Sequence, residues 1–148
     1  MPPPQAEDVF DNPTGWVAKH IRRYVASNGE DGHHAYGHES LLLTTRGRSS
    51  RKLRRTALWY LRDGDRYLLV GSGGSRHDPA WVQNVRANPA VVVQVRSDTF
   101  AALARVATAE ERPALWERLA AEIPKHGDAQ KRVGRELPVV IVDPVLSA

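Results

Sequence analysis

The chain has 148 residues, 41% of them hydrophobic and 26% charged, with a formal net charge of +4 and no cysteine. A chain of this length fits one domain and can bury a core without covalent staples. The missing thiols exclude a disulfide scaffold, thiolate metal centres and a cysteine nucleophile.

The opening residues, Met1-Pro2-Pro3-Pro4, carry neither a basic stretch nor an apolar core. No secretory signal is therefore expected. Residues 1–13 are expected to form a flexible N-terminal arm ahead of a domain over 14–148. Asn12-Pro13 reads as a helix cap followed by proline at the first helical position. Trp16, Val17, Ile21, Tyr24 and Val25 then share one face, with Lys19, Arg22 and Arg23 on the other. The spacing predicts an amphipathic helix that ends near Gly29 and covers one side of a core. Its apolar face is short, so a weak membrane-surface contact is the lesser alternative. The next loop holds His33, His34 and His38. No carboxylate stands at a ligand-like spacing from them, and no metal site is expected.

From Ser40 the pattern is extended. Leu41–Thr45, Thr56–Leu61 and Tyr67–Val70 read as strands, with a hairpin turn at Asp63-Gly64. Asp78-Pro79 starts a second helix and Asn88-Pro89 stops it. Val91–Val95 and Ala101–Val106 form a further strand pair around Ser97-Asp98. Thr108 and Glu111 make a capping box for a helix that carries Trp116, Leu119, Ala120 and Ile123 on one face. Pro113 is expected to distort its first turns. Pro138–Val142 supplies the last strand, and no apolar run approaches the roughly 20 residues needed to cross a bilayer. Short, sequential, hairpin-linked strands argue for a mainly antiparallel sheet of about six strands, closing toward a barrel and flanked by helices.

Two segments could carry chemistry. Six of the ten residues from Arg46 to Arg55 are Arg or Lys, uninterrupted by any acid. Such a block is either a solvated loop or a polyanion site. Its guanidinium forks, hydroxyls and glycine turn suit a phosphate-bearing or polycarboxylate tail. The second segment runs from Ser72-Gly73-Gly74 to Asp78-Pro79-Ala80-Trp81. Paired glycines let a planar ligand approach the backbone, and the helix opening at Pro79 points N–H dipoles at an anion. There is no Gly-x-Ser-x-Gly elbow, no His-Glu-x-x-His and no nucleotide P-loop. Binding loops with few reactive side chains suggest chemistry delegated to a cofactor.

Leu41-Leu42-Leu43-Thr44-Thr45-Arg46-Gly47-Arg48, Leu58-Trp59-Tyr60-Leu61-Arg62-Asp63-Gly64, Ser72-Gly73-Gly74, Asp78-Pro79-Ala80-Trp81 and Asn84-Val85-Arg86-Ala87-Asn88-Pro89 occur here in that order. In this order and spacing they resemble the deazaflavin-dependent nitroreductase and quinone reductase family, which has a split β-barrel of the FMN-binding type. The resemblance implies that coenzyme F420, an 8-hydroxy-5-deazaflavin, is bound and passes hydride to an organic acceptor such as a quinone, nitro compound or enone. It implies that Arg48, Ser49, Ser50, Arg54 and Thr56 grip the anionic tail. Trp59, Ser72, Gly73, Gly74, Pro79, Ala80, Trp81 and Asn84 would line the ring. The chain departs from the family pattern at Ser49 and Gly73, where lysine is common, and in residues 123–129, which lack the family's tyrosines. His126 is then the candidate catalytic residue in that segment.

The alternatives are an FMN-dependent oxidoreductase on the same barrel and a non-catalytic carrier of flavin, haem or lipid. Nucleic acid is not an expected partner, since no aromatic residue interleaves the Arg46–Arg55 block. The expected partner is a small-molecule hydride acceptor. Pairing of two copies is compatible with the fold class, and the expected location is cytoplasmic, membrane-peripheral at most.

Overall fold

The computed structural model describes residues 7–72 and 77–145. Its elements are β1 (Val9–Asp11), α1 (Gly15–Ala26), β2 (His34–Ala35), β3 (His38–Arg46), β4 (Leu53–Trp59), β5 (Leu61–Asp63), β6 (Arg66–Val70), α2 (Ala80–Ala87), β7 (Ala90–Val95), β8 (Asp98–Val106), α3 (Arg112–Glu122), α4 (Pro124–Arg132) and β9 (Val139–Pro144). The strands form one sheet in the order β1-β4-β3-β7-β8-β9-β6-β5, with β2 paired to β3 off that path. Every pairing is antiparallel except that of β1 with β4.

The sheet therefore has nine strands among the described residues, not six, and its order ends at β1 and β5 without closing. The extra strands β1, β2 and β5 are two or three residues long. That is too short for an alternating pattern to register. Val9–Asp11, expected within the loose arm, lies alongside Leu53–Arg55.

Side chains alternate across the strands, and this alternation builds two layers. Leu41 and Leu43 of β3, Tyr67 and Leu69 of β6, Val93 of β7 and Val140 and Val142 of β9 meet in one core. Strands far apart in the sheet order thus share one interior, as in a barrel, without a hydrogen-bonded seam. On the opposite face, Leu68, Val70, Val139 and Ile141 pack with Leu115, Leu119 and Ala129 of α3 and α4. Leu42 packs with Val17, Ile21 and Tyr24 of α1.

The buried stripe of α1 is Val17, His20, Ile21 and Tyr24, not the expected face that included Trp16 and Val25. These two are 60% and 44% exposed. The buried stripe is spent on the sheet, and nothing in the fold supports the membrane contact considered above. No helix among the described residues is long and apolar enough to cross a membrane. The Tyr24 hydroxyl donates to the Ser40 carbonyl at 3.0 Å and accepts the Arg96 N–H at 2.8 Å. Gly29, with φ +85°, lies so close to Arg96 that a Cβ would stand 2.1 Å from its carbonyl oxygen.

Asp78 does not cap α2. Pro79 occupies the cap position, and the Asp78 carboxylate instead binds Arg135 at 2.6 Å and Arg86 at 3.3 Å. The reciprocal bonds of the expected capping box form in the turn ahead of the helix, whose cap position is Glu111: the Thr108 N–H donates to the Glu111 carboxylate and the Glu111 N–H donates to the Thr108 hydroxyl, at 3.0 and 3.2 Å. The Arg105 guanidinium, followed by the bonds to Thr108, holds the Glu111 carboxyl down at about 2. Pro113 does not distort α3, since the helix begins only at Arg112 and first-turn positions need no N–H partner. Helix α4 has almost no apolar stripe to announce it; only His126 and Ala129 are buried.

Candidate functional site

Two cavities adjoin along β4 and the start of α2. One encloses about 520 Å³ and is bordered by the Gly47–Ser50 loop, Phe10, Arg54 and Ala80. The other encloses about 470 Å³ and is walled by Trp16, Tyr36, Leu58, Trp59, Val70 and His126. Asn12, Thr56, Pro79 and Trp81 border both. The result is two adjoining cavities with a shared border, one cationic and one aromatic.

At the cationic end the β3–β4 connection is fixed by its own bonds. The Gly47 N–H donates to the Lys52 carbonyl at 2.7 Å, and the Arg51 N–H donates to the Gly47 carbonyl at 2.9 Å. The Lys52 N–H donates to the Ser50 hydroxyl at 3.2 Å. The basic block divides in two. Arg46 is ion-paired with Glu7, and Arg55 grips both Asp11 oxygens at 2.6 and 3.2 Å. Neither Arg48 nor Arg54 makes an ion pair among the described residues; Arg54 lies over the Phe10 ring at 5.5 Å. These two guanidinium groups and the exposed Ser49 and Ser50 hydroxyls form a donor set for an anion.

Asn84 is buried, and its polar atoms are already engaged. Its amide donates to the Thr45 hydroxyl at 3.1 Å, while its oxygen accepts the Arg48 backbone N–H and guanidinium, both at 3.2 Å. It therefore acts through Arg48. Asn84→Ala should cost about 1–3 kcal/mol of stability, because it strips partners from groups on the cleft wall. An unfolding free energy from denaturant titration lowered by under about 0.5 kcal/mol would show that these bonds carry no weight.

At the aromatic end Trp59 is fixed by an N–H bond to the Ala35 carbonyl at 3.1 Å. The rings of His38 and His126 meet it edge-on at 4.9 and 5.9 Å, and the Lys125 ammonium lies 5.3 Å from its centre. His126 is 5% exposed, and among the described residues neither its Nε2 nor the buried Ser40 hydroxyl has a hydrogen-bond partner. Both residues border the aromatic cavity. Burial, with a smaller push from His38, lowers the His126 pKa to about 4. The imidazole is thus neutral near pH 7 and can offer a hydrogen bond but not an imidazolium proton. Below the ordinary value of 6.5 the unfolded chain binds a proton that the folded chain refuses until about pH 4. This contribution to stability is complete above pH 6.5 and lost as pH falls toward 4. His126→Phe should flatten the fall in Tm across that window. An identical slope in parent and variant would assign the acid sensitivity elsewhere.

Of the residues picked from sequence, Arg48, Ser49, Ser50, Arg54, Ala80 and Asn84 border the cationic cavity. Trp59, Ser72 and His126 border the aromatic one, and Thr56, Pro79 and Trp81 join the two. Gly73 and Gly74 lie outside the described residues. The sequence reading missed Asn12, His20, Tyr36 and Lys125, and placed Trp16 in the core. A stripe read strictly at positions 17, 20, 21 and 24 would have left Trp16 off the packed face. The three clustered histidines separate: His33 bonds the Tyr60 hydroxyl at 2.7 Å, His38 packs on Trp59, and His34 pairs with Glu39 in the β2–β3 ladder.

Residues 16–144 match the model of a family described as F420H(2)-dependent quinone reductase. A Mycobacterium tuberculosis (strain H37Rv) protein named F420H(2)-dependent quinone reductase Rv1261c is 35% identical over 141 residues, covering 86% of this chain and 95% of that one. A solved F420-H2 dependent reductase (FDR-A) is 34% identical with a TM-score of 0.63, covering 70% of this chain and 93% of that chain. A structure described as a domain-swapped dimer is 33% identical with a TM-score of 0.66, covering 89% of this chain and all of that one.

Proposed function

The chain belongs to the F420H(2)-dependent quinone reductase family, and from that premise we propose how its cleft divides the work of an F420-dependent oxidoreductase acting on quinones. The residues present fit the coenzyme. A long ligand with an anionic tail and a planar ring needs a cationic groove running into an apolar pocket. The two cavities that share Thr56, Pro79 and Trp81 supply that pairing. This shared border is the observation that carries the assignment.

Arg48 and Arg54 would hold the tail, with Ser49, Ser50 and loop N–H groups completing the site. The Pro79–Trp81 corner and Thr56 would hold the ring, and Trp59 would form the wall beyond it. When bound, the reduced coenzyme supplies hydride, which together with one proton from water converts a quinone to its hydroquinone. The chain's own part is orientation and water exclusion. His126 would offer its neutral imidazole to a quinone oxygen, which would satisfy an Nε2 that has no partner among the described residues. The open sheet with a single wrapped core supports a split barrel of the FMN-binding type. The likeness to a domain-swapped dimer, together with the half-exposed Leu103 on the outer sheet face, supports pairing of two copies. Sedimentation at the mass of one 16.4 kDa chain would oppose that pairing.

The direct test is a side-by-side titration with F420 and FMN, followed by addition of acceptor to the reduced complex. F420 should bind more tightly, because FMN has one phosphate for a groove built with several forks. Equal or tighter FMN binding would sink the assignment. Flat quinones should be reduced faster than bulky bicyclic nitro compounds, since residues 123–129 carry no tyrosine to orient the latter. His126→Ala should slow quinone turnover and leave coenzyme affinity in place; an unchanged rate would remove His126 from the site.

A further inference from the structure

Tyr36 occupies a position that its side chain makes costly. Ala35 pairs with His38, so Tyr36-Gly37 is a two-residue hairpin turn, and both residues have positive φ, +56° and +89°. Such turns select Asn, Asp or Gly at the first central position, and a bulky aromatic there is an outlier. The tyrosine gains no core packing in return, being 53% exposed. What it gains is neighbours at the cavity: the Trp16 ring meets it edge-on at 5.6 Å and the His20 ring at 5.9 Å.

All three rings border the aromatic cavity, and two of their supports are rigid. The His20 Nε2–H donates to the Gly32 carbonyl at 2.7 Å. Gly32 has φ +114°, and a Cβ there would stand 3.2 Å from the His20 ring. The Tyr36 hairpin is anchored from the other side by the bond from Trp59 to the Ala35 carbonyl. Trp16 is 60% exposed on a helix whose core-facing stripe lies elsewhere. A strained turn and an uncovered indole thus converge on one opening without packing into the core, backed by the buried, locked imidazole of His20. Strain kept without a packing return marks functional ground.

We infer that Trp16, His20 and Tyr36 form an aromatic clamp that grips the planar acceptor and sets its affinity by ring area. The clamp rests on the reading of function above and adds to it the residues that choose the acceptor. They come from α1 and the β2–β3 hairpin and not from the 123–129 segment. Aromatic faces and edges attract a flat electron-poor ring, and the gain grows with the π surface offered. A fused two-ring quinone therefore depends on the clamp more than a one-ring quinone does.

The test uses protein loaded with oxidised coenzyme, on which a quinone binds without reacting. Calorimetry gives the Kd of a one-ring and a two-ring quinone for the parent, Tyr36→Asn, Tyr36→Phe and Trp16→Ala. Tyr36→Asn and Trp16→Ala should each raise the two-ring Kd by about tenfold and the one-ring Kd less, with coenzyme Kd within about twofold of the parent. Tyr36→Phe should recover most of the loss, because the ring and not the hydroxyl does the gripping. Tyr36→Asn should also raise Tm, since asparagine tolerates the left-handed turn. Two-ring affinities equal to the parent's in both variants would overturn the clamp even with quinone turnover intact. An equal loss of coenzyme affinity would overturn it too, by assigning these rings to the coenzyme. Clamp-dependent binding of a quinone that is never reduced would uphold the clamp and overturn the reading it rests on.

Discussion

Arg48→Ala and Arg54→Ala are each expected to weaken coenzyme binding by about 1.5–3 kcal/mol, the scale of a hydrogen bond to a charged group. Arg46→Ala is expected to change it by less than about 0.5 kcal/mol. All three lie in one basic block, but they differ in partners. Arg46 is committed to Glu7 and to the Arg51 carbonyl, and it does not border the cationic cavity. Arg48 has its backbone and one guanidinium nitrogen positioned by Asn84, with its other donors uncommitted among the described residues. Arg54 rests on Phe10, which orients its head group without neutralising it. Fluorescence titration of the coenzyme in low and high salt checks the ranking, because charge-assisted contacts weaken as salt rises. Normal binding by both Arg48→Ala and Arg54→Ala would mean that the tail lies elsewhere and that the loop is merely solvated.

Gly29→Ala is expected to cost about 3 kcal/mol or more of folding stability, by two mechanisms that add. A left-handed residue with a Cβ costs roughly 1–2 kcal/mol, and forcing atoms into filled space costs about 1–3 kcal/mol more. The space is filled by backbone, since the new carbon would sit 2.1 Å from the Arg96 carbonyl oxygen and 2.2 Å from its carbon. Arg96 cannot retreat cheaply, because its N–H is held by the Tyr24 hydroxyl at 2.8 Å. Gly64 is the control: its φ is +61°, but nothing stands within 4 Å of a Cβ there. Gly64→Ala should therefore show only the conformational cost, about 1–2 kcal/mol. Urea unfolding of both variants separates the mechanisms, and equal losses at the two glycines would remove the steric one.

The strands β3, β4, β6, β7, β8 and β9, and the helices α1, α2 and α3, were legible from residues alone. The unbroken run Leu41–Thr45, proline and glycine at the helix borders, and the Thr108–Glu111 pair are local signals, set by neighbours a few positions apart. The two loops at the cavities were legible for the same reason: a dense run of cations and a glycine turn mark a solvated loop or a polyanion site from neighbouring residues alone. The coenzyme type, F420, followed from the family resemblance.

Only the tertiary structure decided which cations are free and where the second wall of the cleft comes from. Arg55 is neutralised by Asp11, 44 positions earlier, because the short strand β1 lies parallel to β4. Tyr36 reaches the cavity because its hairpin is tied to Trp59, and Trp59 sits opposite Ser40 in the β3–β4 ladder. His126 arrives there on a helix with almost no apolar stripe of its own. Each of these contacts joins residues distant in sequence, and their distances depend on the order and curl of the whole sheet. Local periodicity fixes which way a side chain points from its strand; strand order and packing fix what it meets, and the chemistry of the cleft depends on that meeting.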